Sequence, residues 1–261
     1  MLTQQTIADD LRRLGVRRHD ALVVHSSLRS LGKVEGGAQA VIAALLDVIG
    51  PGGLLVLPTF TYWTQVFDPN IDPCLTGLIP ETARAWPGAV RSLHPTHSVA
   101  AIGAGAETLC AGHHRVAGSG LGSPLDKLAA RDGSILLLGV SHNTNSTIHV
   151  GEAHAAAGYL DIPFRAGSFS TATVITPGGP LEVSLQYPAG CSKAFGAVEK
   201  VLRDRLQVRD GMVGSSLAQR VKAQAVIAAT VDILSADPAG LLCTDPHCYR
   251  CTQSRERLKN V

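Results

Sequence analysis

Apolar residues in this chain fall into short solid runs separated by stretches with helical spacing. Ala21 to Leu28 (ALVVHSSL), Leu54 to Leu57 and Ile135 to Val140 have the length and composition of buried strands. Between them the spacing predicts an amphipathic helix that starts at Thr3 or Ala8 and ends near Gly15. A second helix covers Gly36 to Val48 and is stopped by Gly50, Pro51 and Gly52. Helices are also expected over 106–111 and, capped and short, within Gly122 to Gly133. Farther on, Ser170 to Thr176 and Leu181 to Leu185 read as a hairpin around Pro177-Gly178-Gly179. Lys193 to Leu206 and Ser215 to Leu234 read as helices. Strands alternating with helices predict an α/β fold, a layered α/β/α sandwich around a central mixed sheet. The absence of an internal repeat, a linker or a low-complexity segment points to a single domain over 1–261. One long irregular stretch, Thr64 to His97, is rich in Pro, Asp and Thr, and structureless loops of that length are usually functional.

Chemistry concentrates where the third apolar run ends. After Val140 come a polar loop, Ser141 to Asn145, then Ser146 and Thr147, either of which could cap a helix, and then the helix formers of Ile148 to Ala157. On such a helix His149 and Glu152 stand three residues apart and share a face. A carboxylate there can hold the imidazole in one tautomer and stabilise its protonated form, which makes it a general base. The exit of a central strand is where open α/β sheets place their sites. An ordinary structural His–Glu contact at a helix start would look the same at this level.

Bulk properties remove several function classes. The chain is 45% hydrophobic, enough for a sizeable core, and its net charge of +2 with scattered basic residues gives no nucleic-acid footprint. Aromatics at 4% argue against a base-stacking surface. The first residues mix charge with apolar positions at helical spacing, unlike a signal peptide. No apolar run reaches the roughly 20 residues of a membrane span. A cytoplasmic protein is expected, and its six cysteines then read as metal ligands or reduced core thiols. The pattern gives no oligomeric state.

Three longer motifs carry a family likeness: VHSSLRSLGKVEGGAQAVIAALLDVIGPGGLLVLPTFT (Val24 to Thr61), RSLHPTHSVAAIG (Arg91 to Gly103) and GSPLDKLAARDGSILLLGVSHNTNSTIHVGE (Gly122 to Glu152). In content, order and spacing they resemble the aminoglycoside 3-N-acetyltransferase family, over nearly the whole chain. The resemblance implies the antibiotic N-acetyltransferase fold and transfer of an acetyl group from acetyl-CoA to the 3-amino group of a 2-deoxystreptamine ring. It implies His149 and Glu152 as catalytic residues, with the accompanying hydroxyl on Thr147 or Ser146. Ser26, Ser27 and Leu28, with Ser98, Val99 and Ala100, match segments whose backbone lines the acetyl-CoA arm. Tyr62 and Asp68 fall where the family's substrate-facing loop should lie, while Asp72 and Glu81 read rather as exposed or turn-forming acids. Two positions depart from the family. Ala153 stands where a second acid often follows the glutamate, and Asn143 stands where an Asp is common. Both remove negative charge beside the site, which bears on a polycationic acceptor and leaves acetyl transfer intact.

The remaining histidines divide by context. His25 follows a buried strand and is expected to be a packed, hydrogen-bonded residue. His97 is a better candidate for the site than His94, and His113, His114 and His154 are expected at the surface. Cys248-Tyr249-Arg250-Cys251 is a C-x-x-C. The apramycin-type branch of the family has a similar tail, which implies a structural zinc held by Cys191, Cys243, Cys248 and Cys251, or with His247 replacing one of them. A redox pair is less favoured, because no helix that would lower a thiol pKa is visible after the motif. Cys74 and Cys110 lack partners at metal spacing. A Ser/Thr-His-Glu hydrolase is the alternative of another class, and the lack of a G-x-S-x-G elbow weighs against it. A zinc-stabilised binding module without catalysis is a third.

Overall fold

A computed structural model of the chain describes residues 1–62, 64–163, 165–187 and 190–260. The three solid apolar runs become the parallel centre of a seven-stranded sheet: β1 (Ala21–Ser26), β2 (Leu54–Pro58) and β6 (Ser134–Leu138). Antiparallel neighbours extend both edges. On one side lie β5 (Val99–Gly103) and β4 (Val90–Arg91), on the other β10 (Ser216–Lys222) and β9 (Arg209–Val213), in the order β4-β5-β2-β1-β6-β10-β9.

Because successive strand side chains point to opposite faces, the central strands feed two cores. Leu22, Val24, Leu55, Leu57, Leu136 and Leu138 pack against α1 (Gln4–Arg13), α2 (Gly37–Ile49) and α3 (Leu78–Arg84). Val23, Val56, Ile135 and Leu137 face α4 (Ala106–Cys110), α5 (Pro124–Ala130), α6 (Thr147–His154), α7 (Gly196–Asp204) and α8 (Ala223–Ala236). Each fully buried Leu, Ile or Val contributes about 1.5–3 kcal/mol of transfer free energy. The result is the expected α/β/α sandwich around a mixed sheet. A smaller three-stranded sheet of β3 (Val66–Phe67), β7 (Thr171–Thr176) and β8 (Gly179–Ser184) stands aside on its own core of Phe67, Val174, Val183 and Leu185.

Several boundaries differ from those read in the sequence. The stretch 64–97 is not structureless, since it contains β3, α3 and β4. The helix expected from Ser215 is instead the strand β10 followed by α8, which begins at Ala223. Its sequence, SLAQRVK, runs without a turn signal into an Ala-rich helix. Pairing on both sides, with β6 from Ala218 opposite Leu138 through Lys222 opposite Ser134 and with β9 from Ser216 opposite Val213 through Arg220 opposite Arg209, makes the segment extended. The tail also holds a helix, α9 (Tyr249–Leu258), whose buried stripe is Arg250, Cys251 and Ser254. With polar residues on its inner face, that helix carries no hydrophobic periodicity to read. Among the described residues no helix is long and apolar enough to cross a membrane.

Candidate active site and cysteine cluster

Just after β6, Gly139, with a φ of +67°, turns the chain out of the sheet. A Cβ there would lie 2.2 Å from Ser216 Oγ and 2.5 Å from Ser30 Cβ, so only glycine fits. The loop then enters α6, and the helix start is held by the fully buried Asn145, whose Oδ1 accepts from Thr147 N at 3.1 Å. Helix α6 lies close on α8 because Gly151 has no side chain. A Cβ at 151 would meet Thr230 Cβ at 2.4 Å.

This placement presents His149 to a cavity and sinks Glu152 behind it. Glu152 is wholly buried, and its Oε2 accepts from His149 Nδ1 at 2.6 Å. The carboxylate can only accept, so the imidazole carries its proton on Nδ1 and keeps Nε2 as the basic nitrogen. Tyr159 O–H donates to Glu152 Oε1 at 3.2 Å, which engages the second oxygen. The ring of Phe195 meets His149 edge-on, 4.9 Å between centroids. A buried charge needs such partners, and this one has them.

The cavity measures about 500 Å³, and its wall includes His25, Ser26, Phe60, Tyr62, His97, Asn145, Ser146, His149, Phe195 and Arg250. An adjoining groove of about 540 Å³ is lined by Ser26, Ser27, Leu28, Arg29, Gly37 and Leu78, so Ser26 stands at the junction of the two. Ser26 Oγ and His25 Nε2 have no hydrogen-bond partner among the described residues. Burial holds His25 down to about 3, so it is a neutral imidazole at this wall.

The structure thus brings Ser26, Ser27, Leu28, Tyr62, Ser146, His149 and Glu152 to one region. It does not bring all the expected residues there. Ser98, Val99 and Ala100 are fully buried in or beside β5, with backbone groups engaged by Thr59, Ser92, β2 and β4. Asp68 closes a turn by accepting from Asn70 N at 2.9 Å and is not part of the cavity wall. Glu81 is tied to Arg84, whose guanidinium holds its carboxyl down to about 2. Of the two hydroxyls, Ser146 lines the cavity, while Thr147 is wholly buried beneath the helix start.

His25 is buried as expected, but its Nε2 has no hydrogen-bond partner among the described residues. His113, expected at the surface, is fully buried. Its ring nitrogens meet Ser92 Oγ at 2.8 Å and Gly118 O at 2.9 Å, and the ring packs 4.9 Å from that of His94. The neighbouring polar residues gave no hint that this loop folds inward. Sequence reasoning also missed Asn145, Tyr159, Phe195 and Arg250. Arg250 alone carried a signal, its place between two cysteines.

Cys191, Cys243, Cys248 and Cys251 converge, with their four sulfurs within 4.8 Å of one another. Four thiolates around a tetrahedral ion at about 2.3 Å would lie about 3.8 Å apart, so the set fits a zinc site. Arg255 Nη2 donates to the carbonyls of Leu242 and Cys243 at 3.0 and 2.8 Å and fixes that arm of the cluster. His247 is exposed and outside the group. Helix α9 begins directly after Cys248, in contrast to the irregular tail expected. Cys74 and Cys110 are buried free thiols, and burial pushes Cys110 up to about 12.

A family profile described as aminoglycoside 3-N-acetyltransferase matches residues 23–235. Aminoglycoside N(3)-acetyltransferase IV of Salmonella sp. is 30% identical over 87% of this chain and 85% of its own length. Aminoglycoside N(3)-acetyltransferase IX of Micromonospora chalcea is 36% identical over 59% of this chain and 63% of its own. A mutant of aminoglycoside acetyltransferase AAC(3)-IVa, solved in complex with a gentamicin, superposes with a TM-score of 0.87 at 28% identity, covering 98% of this chain and 97% of that one. AAC-IIIb, solved as a binary complex with CoASH, gives 0.78 at 28% identity, with 90% and 96% covered.

Proposed function

Since the chain belongs to the aminoglycoside 3-N-acetyltransferase family, we propose that it transfers the acetyl group of acetyl-CoA to the 3-amino group of the 2-deoxystreptamine ring of an aminoglycoside. The observation that carries the reading is the His149–Glu152 pair, 2.6 Å apart, opening onto a cavity that adjoins a second groove at Ser26. Two joined spaces suit a reaction with two substrates. The groove, with Arg29 in its wall and the start of α2 at Gly37, suits the long anionic donor, and the His149 cavity suits the acceptor.

The chemistry then follows from these residues. His149 Nε2 takes a proton from the acceptor ammonium, and Glu152 stabilises the imidazolium that forms. The amine lone pair attacks the thioester carbonyl, a C–N bond forms, and the C–S bond breaks. The proton held on His149 passes to the departing thiolate, which leaves as free coenzyme A, and the extra proton on the acylated nitrogen then goes to the freed imidazole and on to solvent. Ser26 Oγ, at the junction and without a partner among the described residues, is available to donate to the carbonyl oxygen as charge develops. Alignment of amine and thioester supplies much of the rate.

We assign the four-cysteine cluster to a structural zinc, which would supply a cross-link between the tail and the core. Cys251 packs in the same core cluster as α6 and α8, and the sheet draws strands from residues 21 to 222, which supports one domain over 1–261. An acetyl-CoA donor and cysteines without disulfides suit a reducing cytoplasm.

The test is coenzyme A release from acetyl-CoA with 2-deoxystreptamine antibiotics, with His149→Ala alongside. Amine-dependent release that the substitution abolishes is the expected result. Unchanged turnover in the variant would remove His149 from the mechanism.

A further inference from the structure

Resting on the acetyl-transfer reading and on the zinc assignment, we propose that the four-cysteine cluster is the anionic side of the acceptor cavity. Its thiolates, in place of a carboxylate, attract the further ammonium groups of a polycationic acceptor. A pocket for a polycation needs fixed negative charge. Among the described residues lining this cavity there is no Asp or Glu, whereas Cys191 of the cluster is in its wall.

The nearby acids are engaged elsewhere. Glu152 lies behind His149, its two oxygens held by His149 and Tyr159. Glu81 is bound to Arg84, and Asp72 accepts from Asp68 N at 2.8 Å. The two positions flanking the His–Glu unit, Asn143 and Ala153, are uncharged.

The cluster is what remains. A thiol that coordinates a metal is deprotonated outright. Four thiolates therefore outweigh one divalent ion and the Arg250 guanidinium together. Arg250 is 8% exposed and stands between Cys248 and Cys251 in the chain, and its charge is drawn to Cys191, Cys248 and Cys251 as well as to Glu152. It is a counter-ion of these anions, and the balance toward the cavity stays negative. The four sulfurs lie within 4.8 Å of one another and one belongs to a wall residue. The excess charge thus stands within a Debye length, about 8 Å, of a bound acceptor.

The same segment is fitted to the reacting groups. Gly190, with a φ of +48°, passes so close to Glu152 that a Cβ there would lie 3.3 Å from Oε1, and Phe195 meets the His149 ring. An acceptor whose amine reaches His149 has Cys191, Ser192 and Phe195 along the same wall.

The experiment measures Kd by calorimetry for glucosamine, 2-deoxystreptamine and kanamycin, in order of increasing charge, with coenzyme A present so that no transfer occurs. It uses the zinc-loaded full chain and its Cys191→His and Cys243→His variants, with zinc content and thermal unfolding of each. An imidazole still ligates zinc but removes a negative charge, and Cys243 is outside the cavity wall. We expect the kanamycin Kd to rise about tenfold in each zinc-loaded variant, and that of glucosamine to move by less than about twofold. By linkage, saturating kanamycin should tighten zinc about tenfold against a competing chelator in the unsubstituted protein, a readout that needs neither variant. Equal weakening for all three acceptors, unchanged kanamycin binding in the zinc-loaded variants, or a zinc affinity that kanamycin does not alter overturns the inference and leaves acetyl transfer standing. A chain that holds no zinc does the same. Silence with every amine, in binding and in coenzyme A release, overturns the acetyl-transfer reading and the inference with it.

Discussion

Replacing Glu152 with Gln isolates the charge behind His149 from its shape. The amide oxygen can still accept from His149 Nδ1, now 2.6 Å from a carboxylate oxygen, and the side chain has nearly the same volume. What disappears is the attraction between a buried carboxylate and the imidazolium that forms when the amine is deprotonated. With the charge centres about 4 Å apart and an effective dielectric near 20, that attraction is about 4 kcal/mol. The free base does not feel it, so the loss falls on the transition state, and kcat should drop about a thousandfold. The assay is coenzyme A release at saturating acetyl-CoA, read with a thiol reagent, alongside thermal unfolding of both proteins. KM for acetyl-CoA should hold, because Glu152 is not part of the donor groove. A kcat within threefold of the parent, in a folded variant, would refute the assignment of Glu152 as the partner of a proton-accepting His149.

Gly151→Ala should cost about 1–3 kcal/mol in chemical unfolding, because its Cβ would lie 2.4 Å from Thr230 Cβ. Thr230→Ala in the same chain should recover part of that, and simple additivity would argue against this contact as the cause. Acid should weaken the fold. Burial holds His25 and His113 down to about 3, against roughly 6.5 in an unfolded chain. Below about pH 6.5 the unfolded state binds protons that the native state refuses, so stability is full above pH 7 and falls as pH drops toward 3. At pH 5 each histidine contributes a loss of about 2 kcal/mol, and urea unfolding that gives equal stability at pH 7.5 and pH 5 would contradict it. Metal analysis should find one zinc per chain, and a strong chelator should release it and lower the unfolding temperature. Cys248→Ser with Cys251→Ser should bind none, and a full zinc equivalent in that double variant would sink the cluster assignment.

The layered fold was legible because its centre is made of residues whose pattern admits one reading. Leu22 to Val24, Leu54 to Leu57 and Ile135 to Leu138 are apolar on both strand faces, which suits only a sheet covered by helices on both sides. The His–Glu pair was legible for a related reason. Three residues along a helix is a local spacing, fixed by helix geometry once α6 forms, so His149 and Glu152 meet whatever the rest of the chain does. Tyr159 was not legible, because it reaches Glu152 only after the chain leaves α6 and turns back. The strand β10 was hidden because its residues suit a helix equally well, and pairing between β6 and β9 decides between the two.

The sequence alone, then, was enough for the three central strands, the position of the candidate site at the end of β6, and the C-x-x-C of Cys248 and Cys251. Local spacing and local composition settle those. Tertiary structure decided which cysteines and histidines are inside, that Ser146 rather than Thr147 faces the cavity, and that Arg250 rather than a carboxylate lies in its wall. Those outcomes depend on contacts between residues far apart in the chain, such as Cys191 with Cys251. No periodicity within a segment encodes where a distant helix will come to rest.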